Sequence, residues 1–572
     1  MSAGFLYCRD GGANRSAGVR SQEGDNMLGS QVIAELLKRE GVEQIFCFPM
    51  TPILEALTEA GVRLIVTRQE RVAGNMADGF SRTCFGDRIG VVTVQQGPGA
   101  ENAFAGIAHA YTDSSPILFL PGHPGRNQAG VPPTFGSLEN YRATTKWADR
   151  VPSAAAIPGR MARAFTALRS GRPGPVLLEI PVDVAEEEFP GRLDYRPVPV
   201  VRTGPDPAAV REAVRLLLAA RRPLIWAGQG IFYAKASREL EQVAEQLAAP
   251  VMTSLQGKSA FNETHPLALG TTGYSQTDMV GKHLASSDAL LVIGSSLTRS
   301  LFAPAIPSDG RVIIHATLDW KDLNKDYRAD LPILGDAKLV LQQMLEEIAR
   351  QSGKGKRDER RRSVEAGIGG LRNAWQARWA GKLQSSQVPI NPYRVIGELK
   401  RAVDPASAIV THDSGSPRDQ IAPLYEAVTP RGYLGWGNST QLGFSLGAAM
   451  GAKLAAPDKL VVTLMGDAAF GMVGMDLETA VRGKIPILVL LLNNSAMGGY
   501  EQYIPRAAIE GRAKFLSGNY CQVARGLGAY AERVEDPEAV QAALQRGIAA
   551  NREGHPALLE FITCEETDIA KR

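Results

Sequence analysis

Residues 460–499 read LVVTLMGDAAFGMVGMDLETAVRGKIPILVLLLNNSAMGG, and the order of events along them decides the fold. LVVTLM and IPILVLLL are apolar, partly β-branched and free of alternation, the pattern of strands buried on both faces of a parallel sheet, and DLETAVRG between them suits a crossover helix. Gly466-Asp467 closes the first strand and Asn493-Asn494 the second. Both strands of a βαβ unit end on the same side of the sheet, so a carboxylate and a carboxamide reach one crevice. Oxygen ligands from Asp467 and Asn494 would suit a hard cation there, which can in turn hold a diphosphate.

Working outward, the same rhythm fills the chain. From Leu28 the sequence alternates helix (SQVIAELLKREG), strand (QIFCFP), helix (TPILEALTEAG), strand (RLIVT) and helix (ERVAGNMADGFSRTCFG). The next stretch, IGVVTVQQGPGAENAFAGIAHAYTDSSPILFLPG, lies over the opening one without gaps: Val91-Val92-Thr93 over Val461-Val462-Thr463 and Pro116-Ile117-Leu118 over Pro486-Ile487-Leu488. Two similarly folded domains flanking a different one are expected. Residues 208–350 supply that middle unit, with strands in PLIWAGQGI, APVMTSLQG, ALLVIGSS and RVIIHATLD. Its Gly228-Gln229-Gly230 is a fragment of a dinucleotide fingerprint and reads first as a tight turn.

The 572 residues suffice for several domains, and their net charge of +3 comes from well-mixed charges, which argues against a nucleic-acid partner. The one basic run, KGKRDERRR, reads as a solvated helix or a linker. The cysteines lack CxxC spacing, as expected of reduced thiols in the cytoplasm. Residues 1–26 have no apolar stretch fit for export or membrane insertion and are expected to be a disordered tail.

The spacing of Asp467 and Asn494 resembles the thiamine diphosphate signature, Gly-Asp-Gly followed by Asn-Asn, with Ala468 in place of its second glycine. A second segment, TRQERVAGNMADGFSR, resembles that family's pyrimidine-site motif, Arg-His-Glu-Gln then Ala-Asp-Gly-Tyr-x-Arg, with Gln69 for His and Arg71 for Gln. With QGPGAENA at residues 96–103, the resemblance covers nearly the whole chain. It implies α/β architecture in three doubly wound parallel-sheet domains: pyrimidine-binding (27–190), central (191–350) and diphosphate-binding (391–572), with a basic linker at 351–390.

The resemblance also implies roles. Asp467, the Asn494 side chain and the Ala496 carbonyl would hold Mg2+, and the turns Ser414-Gly415-Ser416 and Gly466-Asp467-Ala468-Ala469, with Met497 and Gly498, would meet the diphosphate. Leu442 would wedge the cofactor into its bent form beside the Thr440 carbonyl. Glu70, bonded to the aminopyrimidine, would promote loss of the thiazolium proton. In the family this glutamate and the diphosphate anchor come from different subunits, so a homodimer is the implied minimum and a tetramer is common. The central domain holds FAD, ADP or nothing in different relatives.

Within the family the chain resembles acetohydroxyacid synthase, which decarboxylates a small 2-oxoacid and passes the fragment to an acceptor carbonyl. Pro49-Met50-Thr51 and GDAAFGMVGMDLET look closer to oxalyl-CoA decarboxylase and 2-hydroxyacyl-CoA lyase, which leaves an acyl-CoA substrate as the alternative. Further catalytic candidates are Gln96, His109 and Glu501, and Met50, Phe135, Tyr500 and Tyr503 are candidates for the substrate pocket. His109 reads equally as a packing histidine, Phe135 as core and Glu501 as a surface carboxylate.

Overall fold

The computed structural model describes residues 27–300, 303–307, 310–351 and 357–571. The tail expected at 1–26 lies outside them. The non-alternating apolar runs become three sheets, each of six strands and all parallel among the described residues. The first contains β1 (Gln44–Cys47), β2 (Arg63–Val66), β3 (Gly90–Val94), β4 (Ile117–His123), β5 (Trp147–Arg150) and β6 (Val176–Pro181), in the order β2-β1-β3-β4-β6-β5. The central sheet holds β7 (Pro223–Ala227), β8 (Val251–Ser254), β9 (Ala268–Thr272), β10 (Ala289–Ile293), β11 (Val312–Thr317) and β12 (Leu331–Leu334), ordered β12-β11-β10-β7-β8-β9. The third runs β13 (Ala408–His412), β14 (Tyr433–Leu434), β15 (Leu460–Gly466), β16 (Leu488–Asn493), β17 (Tyr530–Val534) and β18 (Ala557–Ile562), ordered β14-β13-β15-β16-β18-β17.

The outer sheets therefore share one strand order and the central sheet has another, as the overlay of residues 91–118 on 461–488 led us to expect. β3 superposes on β15 and β4 on β16 in that order. The crossover helix between β15 and β16 is broken, with Asp467–Val473 and Leu477–Gly483 separated by a 3-10 turn at Gly474–Asp476.

The outer domains meet along the helices Glu70–Thr83 and Phe444–Ala455. Small residues let the backbones touch: a Cβ on Gly79 would lie 2.2 Å from the Ala448 carbonyl oxygen, and one on Gly451 would lie 2.0 Å from that of Met76. A single apolar core runs through the junction, including Val72, Met76 and Phe80 from one side and Leu446, Ala449 and Met450 from the other. Within it Arg82 is fully buried, bonded to Asp78 and to the Gly435 carbonyl (3.2 Å), with Asp113 at 3.5 Å. Burial works against the Arg82 charge, but Asp78 and Asp113 outweigh it and hold the guanidinium pKa above its ordinary value. The Ala-Asp-Gly-Phe-x-Arg motif thus builds the domain junction.

Residues 351–390, expected as a linker, carry the long helix Arg357–Leu383. Its basic start is followed by Trp375 and Trp379, both buried, and Trp379 lies 5.0 Å from the Tyr393 ring of the C-terminal domain. The apolar ring pair binds the helix to the body of the protein, so the helical alternative is the one that forms.

Candidate active site

The C-terminal edge of the third sheet gathers the chemistry. β15 and β16 are hydrogen-bonded neighbours, so the residues that follow them emerge side by side. Asp467 opens a helix; its Oδ1 accepts the Ala468 N–H at 2.8 Å, and its buried Oδ2 has no hydrogen-bond partner among the described residues. Burial raises this carboxyl above the ordinary aspartate range although neighbouring N–H groups, Ala468 first, pull the other way. At the end of β16 Asn493 turns inward to Glu560 (2.7 Å), while just beyond it the Asn494 carboxamide oxygen accepts the Ala496 N–H at 3.0 Å. The pair of asparagines therefore divides its work, one fixing the strand end and one facing the crevice.

The loop after Asn494 is bolted on both sides. Ser495 takes a left-handed φ of 55°, and cross-bonds from Met497 N–H to the Lys514 carbonyl and from Leu516 N–H to the Ser495 carbonyl, each 2.8 Å, tie the loop down. Among the described residues these bonds leave the Ala496 carbonyl uncommitted. Gly499 N–H donates to Glu565 at 2.9 Å, and the Lys514 ammonium bridges Glu565 (2.9 Å) and Glu501 (2.8 Å).

One cavity of about 490 Å3 lies between these elements. Ser414, Gly415, Ser416, Thr440 and Leu442 line it, as do Gly466, Asp467, Ala468 and Ala469. Asn494, Ala496, Met497, Gly498, Tyr500 and Tyr503 complete the predicted set on its wall. Sequence reasoning missed Asp413, which accepts N–H bonds from Ser414 (2.8 Å), Gly443 (2.9 Å) and Ser445 (3.1 Å) and so ties the Ser414 turn to the segment carrying Leu442. It also missed the C-terminal wall, Thr563 to Thr567, Ile569 and Lys571, and Tyr274 from the central domain. HDSGS hints at the first; nothing local hints at the second, because Gln276 and Ala570 meet only in the folded chain.

Among the described residues, none that lines this cavity comes from the N-terminal domain. That domain builds a separate edge. Glu70 starts its helix at the end of β2, buried at 6% exposure, and its carboxyl accepts no hydrogen bond from the described residues. A Cβ on Gly99 would lie 3.5 Å from the Glu70 carboxylate, and one on Gly122 would lie 3.3 Å from the Gln96 side-chain oxygen and 3.6 Å from Pro52. Gln96 follows β3, and the exposed Met50, with a φ of 74°, follows β1 on the same edge.

Three candidates fall elsewhere. His109, read as a possible substrate-side base, is buried in the domain junction, stacked on Phe444 at 3.8 Å, and burial drives its pKa well below the ordinary histidine value. A neutral packing ring is the result. Phe135 packs, half-buried, against the shared core. Glu501 stands outside the cavity wall in its ion pair with Lys514, which holds its carboxyl below the usual range.

The donor sets fit the groups the sequence implied. A buried carboxylate oxygen without a partner, a carboxamide and an uncommitted carbonyl are hard oxygen donors for Mg2+, with phosphate oxygens left to complete the shell. Comparison with known proteins decides the family. Residues 27–149 match the N-terminal TPP binding domain of the thiamine pyrophosphate enzymes, 210–344 their central domain and 413–561 their C-terminal TPP binding domain. The chain is 32% identical over 496 residues to the acetolactate synthase isozyme 3 large subunit of Escherichia coli, covering 83% of this chain and 84% of that protein. This chain belongs to the thiamine pyrophosphate enzymes, on their acetolactate synthase-like branch. The acetolactate synthase large subunit of Corynebacterium glutamicum is 30% identical over 578 residues, 96% of this chain and 89% of the relative. The acetolactate synthase of Mycobacterium bovis is 30% identical over 575 residues, 95% and 89%. In this thiamine pyrophosphate enzyme no described helix is long and apolar enough to cross a membrane.

In the central domain a smaller cleft of about 110 Å3 opens by the Gly228-Gln229-Gly230 turn. A Cβ on Gly228 would meet the Gly294 carbonyl oxygen at 2.3 Å, so that glycine is needed for turn-on-turn packing.

Proposed function

We propose that the enzyme is a Mg2+-dependent carboligase that decarboxylates a small 2-oxoacid of the pyruvate type and joins the fragment to an acceptor carbonyl. The observation that carries this reading is the unpartnered Asp467 oxygen beside Asn494 and the free Ala496 carbonyl, in a cavity whose rim bears the aromatic side chains Tyr500 and Tyr503. Asp467, Asn494 and the Ala496 carbonyl hold the metal; the N–H groups of the Ser414 and Asp467 turns hold the diphosphate; Leu442 supports the ring system. Thiamine diphosphate, when bound, supplies the carbon nucleophile. Glu70 holds a proton at the aminopyrimidine, and a carboxyl that accepts no hydrogen bond from the described residues is available for that bond.

The cavity receives none of the described residues of the N-terminal domain, and Glu70 lies in that domain, which supports a homodimer with each site completed by the partner. Association into a tetramer is compatible with this arrangement. The acyl-CoA alternative rests on Met50-Thr51 and the GDAAFG run; the relatives named above, all acetolactate synthases, weigh for the 2-oxoacid. Whether FAD, ADP or no nucleotide belongs in the central cleft is read from the absorbance and nucleotide content of the purified enzyme.

The test is carbon dioxide release and acetolactate formation from pyruvate with thiamine diphosphate and Mg2+, comparing the wild type with Glu70→Gln. A loss of about two orders of magnitude or more in the variant is expected for removal of a proton-handling carboxyl. A wild type that binds the cofactor yet releases no carbon dioxide from pyruvate would overturn the substrate reading, and 2-hydroxyacyl-CoA cleavage would be measured next.

A further inference from the structure

A second cavity, of about 280 Å3, lies where three parts of the chain meet: the edge strand β9 of the central sheet, the helix Arg357–Leu383 and the C-terminal domain around residues 423–426. It shares no lining residue with the cofactor cavity. Trp375 and Trp379, with ring centroids 5.6 Å apart, form one wall, and Leu269, Met279 and Leu424 add apolar surface.

The floor is electrostatically complete. Lys258, buried at 1% exposure, donates to Glu263 at 2.5 Å, and Glu263 also accepts from Thr271 (2.9 Å) and from the Ala427 N–H (2.8 Å). The walls are not complete. The Trp379 indole N–H and the Tyr425 hydroxyl are both buried without a hydrogen-bond partner among the described residues, on residues 5% and 3% exposed. Arg372 donates only to the carbonyls of His265 (3.0 Å) and Ala268 (2.8 Å), so among the described residues its charge meets no carboxylate.

An indole N–H and a guanidinium can only donate, and a tyrosine hydroxyl can donate, so the uncommitted groups call for an acceptor. A buried donor left without one costs stability, and a cation without a counter-charge favours an anion. The aromatic wall in turn favours an apolar body. We propose that this junction is a binding site for a monocarboxylate with a compact aliphatic or aromatic body, its carboxylate turned to Arg372 and Tyr425 and its body laid on Trp375 and Trp379.

Both tryptophans report on occupancy. The experiment titrates the full-length enzyme, saturated with thiamine diphosphate and Mg2+, with 3-phenylpropanoate and 4-methylpentanoate, and reads intrinsic fluorescence and calorimetric heat; the matching amides are the controls. Saturable binding of at least one acid is expected, about tenfold weaker in Arg372→Gln and in Tyr425→Phe, with the amides at least tenfold weaker than the acids. Tyr425→Phe removes one oxygen atom and decides the matter if Arg372→Gln, which also loses two carbonyl bonds, does not fold. Absence of saturation by either acid, or equal affinity in wild type and Tyr425→Phe, would overturn the site; equal affinity for acid and amide would overturn the carboxylate.

Discussion

Gly79→Ala adds one methyl group at the crossing of Glu70–Thr83 over Phe444–Ala455, and that methyl has nowhere to go. Its carbon would sit 2.2 Å from the Ala448 carbonyl oxygen, 2.6 Å from the Ala448 Cα and 2.7 Å from its carbonyl carbon. An ordinary carbon–oxygen contact is about 3.3 Å or longer, so the helices must separate by roughly 1 Å. The obstructing atoms are backbone, and no rotamer change relieves them. Overpacking of a buried site costs about 1–3 kcal/mol, and a clash with a helix backbone in a core shared by two domains belongs at the upper end, about 3 kcal/mol. Gly370→Ala is the control: it lies in the helix Arg357–Leu383 with nothing within 4 Å of an added Cβ. There the same substitution should stabilise by about 0.5–1 kcal/mol through helix propensity. Urea unfolding followed by circular dichroism gives both midpoints, and hydrogen exchange of residues 70–83 and 444–455 locates the loss. The reasoning fails if Gly79→Ala shifts the midpoint no more than Gly370→Ala, or if exchange rises only elsewhere.

Three further outcomes are expected. Burial raises the Asp476 carboxyl from 3.8 to about 6, so the folded state binds its proton more tightly and stability falls as pH rises from about 4 through 6, by up to about 3 kcal/mol. Asp476→Asn keeps the Oδ1 that accepts the Arg68 N–H at 2.7 Å and removes the charge on the unpartnered Oδ2; a flatter pH dependence of the unfolding midpoint between pH 4 and 7 checks this. Arg82→Met strands Asp78 and Asp113 in the junction and should cost about 3–5 kcal/mol by urea unfolding, more than the same change at the exposed Arg506. Lys514→Met removes the ammonium bridge between Glu501 and Glu565 that braces the loop carrying Ala496, and a drop of about tenfold in Mg2+ affinity, measured by calorimetry with thiamine diphosphate present, is expected while the fold persists.

The sequence was most legible where one chemical pattern sufficed. Strands at sheet centres, such as β15 and β16, are continuous apolar runs and could be read directly. Edge strands were less legible: RLIVT was read as β2, but β5, β9, β12, β14 and β17 were not, being short, partly exposed or broken in pattern, because an edge has one neighbour and no need for apolar residues on every side. Among the candidate residues, the placement of Asp467, Asn494 and Glu70 at sheet edges was legible because each follows a strand end, where topology alone delivers side chains to an edge. His109 was not, since small neighbours in a helix give no sign of the Phe444 ring that covers it.

By itself, then, the chain's order of strand ends and polar turns determined three parallel-sheet domains, two of them alike, and the residues that gather at each edge. Only the tertiary structure decided which edges face each other. The glycine-lined helix crossing joins the outer domains through shared core, and the cavity at Asp467 is walled instead by the far C-terminal segment and Tyr274. These are contacts between residues hundreds of positions apart, set by shape and burial of whole helices and sheets, and no local pattern of residues encodes them.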